Sequence, residues 1–201
     1  MSLMSKLKKS IKMRFWRYRY KRHFLFPKSE MPFDAVFVIG ANKTGTTSTH
    51  HFLRDLGLRH LTINEDVKRR YFKNDFAYLD YLTTRFHSFD DVPWNRLDVV
   101  EHFMKKDRNF LFILTIRDPN EWYGSFVRFY KKLGRTMEGD RNYMIEKKAH
   151  HDATCISLAK QNNKPLLIVD VTKDSEAGRK IANFLNVPVK IAKFPHVNRT
   201  K

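Results

Sequence analysis

Two short stretches carry residue types suited to holding an anion. The first is Gly40-Ala41-Asn42-Lys43-Thr44-Gly45-Thr46-Thr47-Ser48. Its glycines permit a tight turn, and a helix opening at its end would aim free N–H groups and a positive dipole end at a negative group. Lys43, Thr46, Thr47 and Ser48 add donors. The second stretch starts at Arg117, with Ser125 eight positions on. Arg117 can offer a bidentate fork to a phosphate, and Ser125 a hydroxyl from two turns into the following helix. Taken alone, the first loop also suits a plain helix cap, and Arg117 an ion pair with Asp118. The generic phosphate loop GxxxxGK[ST] fits only in part. Gly40 and Gly45 have its spacing, but Thr46 stands in the place of the lysine and Lys43 precedes Gly45 by two. Only Asp170 ends a further strand as an acid for Mg²⁺, so a nucleotide kinase is the weaker fit.

Lys43-Thr44-Gly45-Thr46-Thr47 resembles the 5′-phosphosulfate loop of sulfotransferases, commonly written KxGTT. Ile116-Arg117-Asp118-Pro119 through Trp122-Tyr123-Gly124-Ser125 resembles that family's 3′-phosphate site. The two occur in the family's order, and the resemblance runs from residue 34 to 198, including Phe89 to Trp94 and Phe194 to Asn198. It is similar to the short sulfotransferase branch with RDPxxWYxS. The resemblance implies PAPS as donor and PAP as product. It also implies that Lys43, Thr44, Gly45, Thr46, Thr47 and Ser48 hold the 5′ side, that Lys43 touches the bridging oxygen, and that Arg117 and Ser125 hold the 3′-phosphate. It implies a hydroxyl (or amine) of a glycan or small molecule as acceptor. The glycine-rich segment that ends longer cytosolic members, RKGxxGxW, is missing, and Lys193, His196, Asn198 and Arg199 stand where substitutes for it would be.

A transferred sulfuryl group needs a base for the acceptor's proton. Cytosolic sulfotransferases use a histidine in a His-Leu-Pro stretch between the two phosphate loops. The matching residues here are Asp91-Val92-Pro93, which makes Asp91 the first candidate base and Asp90 the reserve. An aspartate near pKa 4 is a weak base unless burial raises it. The competing role for either is to cap a helix starting at Pro93. His50-His51 and His150-His151-Asp152 are adjacent residues that point different ways on a helix, so no metal site is expected. Cys155 reads as a core residue. The aromatic-rich stretch from Tyr71 to Phe89 suits either an acceptor cleft or a helical hairpin packed on a sheet.

These loops need strands to hold them. Ala35-Val36-Phe37-Val38-Ile39 is a run of β-formers that ends at Gly40, and a helix from about Thr46 with Phe52, Leu53 and Leu56 inward should stop at Gly57. Phe110 to Ile116 predicts a second buried strand, with Pro119 in the first turn of its helix. Leu166 to Val171 predicts a third, followed by a helix carrying Ala177, Ile181, Phe184 and Leu185. Residues 65–88 and 137–163 read as mainly helical. Alternating strands and helices predict an α/β three-layer sandwich around a central parallel sheet, of the P-loop nucleotide-hydrolase type that the sulfotransferase resemblance also implies.

Charge divides the chain. The 201 residues carry a net +18, and half of that, +9, lies in residues 1–30. The expected division is a basic extension, 1–30, and a domain, 31–201. Leu3, Leu7, Ile11, Phe15 and Tyr18 fall on one helical face of the extension, which suits either peripheral contact with an anionic membrane or a solvated basic arm. No run approaches a membrane span or a signal-peptide core, and the lone cysteine fits a reducing compartment, so a cytoplasmic location is expected. The rival from another class is a non-catalytic basic protein that binds nucleic acid or membrane, with nucleic acid ranked below a phosphorylated cofactor.

Overall fold

The computed structural model describes residues 23, 26–136, 139–188 and 194–195. Most of the predicted basic extension, Lys193, His196, Asn198 and Arg199 lie outside the described residues. Five strands form one parallel sheet: β1 (Ala35–Val38), β2 (His60–Leu61), β3 (Ser88–Asp90), β4 (Phe110–Thr115) and β5 (Leu166–Val169), in the order β2-β3-β1-β4-β5. Between them lie α1 (Thr46–Asp55), α2 (Glu65–Tyr71), α3 (Phe76–Thr83), α4 (Leu97–Met104), α5 (Pro119–Lys132), α6 (Arg141–Gln161) and α7 (Ala177–Phe184). Among the described residues, no helix is long and apolar enough to cross a membrane.

Alternation along β1 explains the layers, because successive side chains leave a strand on opposite faces. Val36 and Val38 pack with Phe52 and Leu53 of α1 and Ile181 of α7. Phe37 and Ile39 face the other way, into a cluster with Phe89, Trp94, Phe103 and Phe112. The Phe37 ring stacks on Phe89, Phe103 and Phe112 at centroid distances of 5.2, 4.5 and 5.4 Å. Each such fully buried ring contributes roughly 1.5–3 kcal/mol by burial alone. The sheet is thus covered on both sides, as its continuous apolar strands require.

The structure corrects the sequence reading between residues 58 and 96. Residues 65–88 are helical only in α2 and α3, and Ser88 already opens β3. β2 and β3 are too short for an alternation to announce them, and pairing with β1 makes them strands. Of the 71–89 aromatics, Tyr71, Phe86 and Phe89 are core residues and Phe76 and Tyr78 pack against that core, while Phe72 and Tyr81 are exposed. No helix starts at Pro93. Residues 91–96 form turns, closed by Asn95 N–H to the Asp91 carbonyl at 3.1 Å and Arg96 N–H to Pro93 at 2.9 Å, and α4 begins at Leu97. Neither Asp90 nor Asp91 therefore caps a helix there. Lys28 and Ser29, at the end of the expected extension, are tied to the body: the Lys28 ammonium donates to the Thr83 carbonyl at 2.6 Å, and Ser29 meets His87.

Candidate functional site

The loops that leave β1, β3 and β4 meet at the carboxyl edge of the sheet, because these three strands are parallel neighbours. This edge is where open α/β sheets usually receive ligands. The β1 loop passes tightly over β4. A Cβ on Gly40 would lie 2.1 Å from the Thr115 hydroxyl oxygen, so only glycine fits. Gly45 has φ +99°, and a Cβ there would lie 2.2 Å from a Val171 methyl. Lys43 also takes a left-handed conformation, φ 75°, a cost of order 1–3 kcal/mol that the surrounding fold must hold. Gly45 precedes the first residue of α1, whose N-terminus has no side-chain cap. Its first N–H groups therefore lack the side-chain acceptor that usually satisfies a helix start.

The hydroxyls in this loop divide. Thr44 is fully buried, and its Oγ1 donates to the Ala41 carbonyl at 2.6 Å and lies 2.7 Å from Thr115 Oγ1. It shapes the loop from within. Thr46 is half-buried, Thr47 exposed and Ser48 buried, all in the first turn of α1.

Arg117 and Lys43 come together. Arg117 Nη1 donates to the Lys43 carbonyl at 3.3 Å, which joins the two stretches separated by 74 positions. The Lys43 ammonium lies over the Phe129 ring, 5.0 Å from its centroid. Burial first, and then the charges of Arg117, Arg128 and Lys132, hold it below the usual lysine range. Four cations therefore converge on one spot. Glu121 lies 3.6 Å from Arg117 Nε but is shared with Lys173 at 3.0 Å. Arg117 Nε is buried without a hydrogen bond. Asp118 does not pair with Arg117. It caps α5, accepting from the Asn120 and Glu121 N–H groups at 3.0 Å each, as its place before Pro119 suits. Ser125 is buried on α5, two turns beyond that cap.

Asn42 locks the three loops to one another. Its carbonyl accepts from the Trp122 indole at 2.8 Å, and its side-chain oxygen accepts from Asn95 at 3.4 Å. The motif residues quoted above include Trp122, but nothing in its type pointed to this clasp. Asn42 and Asn95 carry no sequence signal at all.

The two candidate carboxylates have opposite surroundings. Asp90 is buried, with Oδ1 3.1 Å from His60 Nε2 and Oδ2 3.8 Å from His50 Nδ1. The His60 contact has ion-pair distance but not hydrogen-bond alignment. Burial pushes Asp90 up, but His60, Thr62 and His50 together outweigh it and hold the carboxyl below its ordinary value. The other His60 nitrogen, Nδ1, lies 2.7 Å from the Ser88 hydroxyl. Burial, with His60 next, pulls His50 down to about 3, so it is neutral near pH 7. His50, His60 and Asp90 bring one ligand-type atom each within 4.8 Å of one another, a grouping that adjacency in sequence did not foretell. Asp91 has φ 62° and accepts the Val92 N–H at 2.7 Å. Burial, aided by the negative charge of Asp90, raises its carboxyl above the usual range.

A cleft of about 1040 Å³ opens beside these loops, with Asn42 and Val92 at one end and α5 and α6 as walls. None of the 71–89 aromatics lines it. His150 and His151 do, and His151 Nε2 lies 3.0 Å from the Asn95 carbonyl. Cys155 is buried, as its type suggested.

No curated protein matches the chain. Residues 35–139 match the family model described as a sulfotransferase domain, a span that covers β1 to α5 and holds the stretches from Gly40 to Ser48 and from Arg117 to Ser125 and the paired aspartates. With more than half of its length matched and a five-stranded parallel sheet to carry the motifs, the chain belongs to the sulfotransferase family.

Proposed function

We propose that the protein transfers a sulfuryl group from PAPS to a hydroxyl of a glycan or small molecule. The observation that carries this reading is the meeting of Lys43 and Arg117. Four cations crowd one spot, with Glu121 shared with Lys173 and Asp118 acting on Arg117 without pairing with it. Mutual repulsion of this kind is relieved by a polyanion. Two further features suit an anion: the α1 N-terminus is uncapped, and Arg117 Nε is buried without a hydrogen bond. In this reading Lys43, Gly45, Thr46, Thr47 and Ser48 hold the 5′ side, with Thr44 keeping the loop's shape, and Arg117 and Ser125 hold the 3′-phosphate.

When bound, the donor supplies an activated sulfuryl group, whose bond to phosphate oxygen breaks as the acceptor oxygen attaches to sulfur. Lys43 and the N–H groups at the start of α1 stabilise the charge left on that phosphate, in place from the outset. Asp91 takes the proton of the acceptor hydroxyl. Its raised carboxyl makes it a better base than Asp90, and Asp90 contributes by remaining ionised next to it. Two neighbouring carboxyls whose environments push them apart are a common way to divide such roles. Asn42 and Asn95 hold the Asp91 turn against the donor loop.

Calorimetry with PAP and ADP tests the donor. PAP should bind in the micromolar range and ADP much more weakly, and Arg117→Ala should abolish the difference. Equal binding of the two nucleotides to the unaltered protein would rule the reading out.

A further inference from the structure

The cleft beside the donor loop has walls of two kinds. Trp122, Phe126 and Tyr130 lie at every fourth position of α5, and successive rings are 5.1 and 4.5 Å apart. They form a continuous aromatic strip, buried at Trp122 and Phe126 and more open at Tyr130. Four-residue steps place side chains on one face, and eight residues of helix advance about 12 Å. The strip starts where the Trp122 indole clasps Asn42, at the end of the cleft lined by Val92, the residue after Asp91. It ends near Arg135, just past α5, with Lys147 opposite on α6.

The cleft's charge is lopsided. Its lining includes Arg96, Arg135, Lys147 and Lys148, against Asp98 alone. Two of these cations are already answered: Lys148 is bound to Asp152 at 2.6 Å, and Arg96 shares Tyr71 with Asp98. Arg135 and Lys147 are exposed and meet no carboxylate among the described residues. Aromatic faces with cations at one end suit a flat or ring-shaped apolar body that carries an anion.

We propose that this cleft is the acceptor site and that it selects a negatively charged acceptor. Such an acceptor has a flat body of two or three rings, a hydroxyl at the Asn42 end and an anionic group about 12 Å away, between Arg135 and Lys147. The assignment rests on the sulfotransferase reading for the hydroxyl's fate but not for the binding. Neutral compounds of the same shape are held by the aromatic strip alone.

The test compares 4′-hydroxybiphenyl-4-carboxylate with its carboxamide, by calorimetry on the full chain, with and without PAP. The acid should bind at least tenfold more tightly than the amide. Raising the salt should shrink that margin. Arg135→Glu combined with Lys147→Glu should reverse the preference and leave PAP affinity within twofold. Both side chains are exposed, and an unchanged melting temperature verifies the fold. Tyr130→Ala should weaken both probes equally. Equal binding of acid and amide, or a preference that survives the double reversal, overturns the proposal. An acid preference in a protein that fails to bind PAP would uphold the cleft assignment and remove the donor reading instead.

Discussion

The polar groups on the two sides of β1 are arranged in opposite ways. On the β3 side, Ser88, His60, Asp90 and His50 set acid beside base, although His60 Nε2 and Asp90 Oδ1 lack hydrogen-bond alignment. On the β4 side, Lys43, Arg117, Arg128 and Lys132 face one another, with Glu121 shared with Lys173 and Asp118 near Arg117. Buried polar groups that satisfy each other serve the fold. A crowd of like charges raises the energy of the free protein, and it persists where a ligand of opposite sign relieves it.

Substitutions can break this comparison at several points. The largest effect is expected between the two regions, at Asp91. Asp91→Asn should lower turnover by roughly 10²–10⁴, the usual span for a lost general base, with PAP affinity unchanged by calorimetry. An undiminished rate would remove Asp91 from the chemistry. Next come paired changes on the two sides. Arg117→Ala should weaken PAP by about 1.5–3 kcal/mol, some 10- to 150-fold, with little change in melting temperature. Asp90→Ala should do the reverse. It leaves His60 and His50 without their carboxylate, which costs about 1–3 kcal/mol of stability in urea titrations and little in PAP affinity.

The β3 side extends to His87, and pH probes it there. His87 Nδ1 accepts the Arg59 N–H at 2.9 Å, and Nε2 lies 2.8 Å from the Ser29 carbonyl, so the neutral ring satisfies both. A second ring proton would face the Arg59 donor. Burial, chiefly, pulls this histidine down to about 4, although its contact with Ser29 works the other way. Between the ordinary value of about 6.5 and that value, the unfolded chain binds a proton that the native ring refuses. Stability should therefore fall as pH drops from 6.5 to 4, by on the order of 2 kcal/mol from this group. His87→Gln should flatten that part of the curve, and an unaltered slope would count against the assignment. The smallest effect belongs to the crowded side. Lys132→Glu should stabilise the free protein slightly, by about 0.5 kcal/mol in urea titrations, and weaken PAP several-fold.

The sequence made the β1 and β4 frames legible because long apolar runs ending in glycine or arginine leave little choice. The stretches from Gly40 to Ser48 and from Arg117 to Ser125 were equally plain as motifs, since spacing within one loop is a local property. The region between residues 58 and 96 was not. β2 and β3 are strands because β1 pairs with them, and a run of two or three residues has no period to read. The partnership of Asp90 with His60 spans 30 positions and two such strands, which no local rule reaches. The Asn42 clasp was hidden for another reason: the backbone carbonyl that Trp122 grips has no letter in the sequence. The turn after Asp91 illustrates a competition. An aspartate before a proline resembles a helix start, but the chain makes turns first and delays α4 to Leu97.

Gly45 has one more consequence. The space where its side chain would stand is filled by a methyl of Val171, just past the end of β5. The segment recognisable as a sulfotransferase domain stops at residue 139. A fragment cut there would keep Lys43, Arg117 and the loops that carry them and lose the residue against which Gly45 packs. The matched segment thus leans on the last third of the chain as on a mould that keeps its first loop in shape.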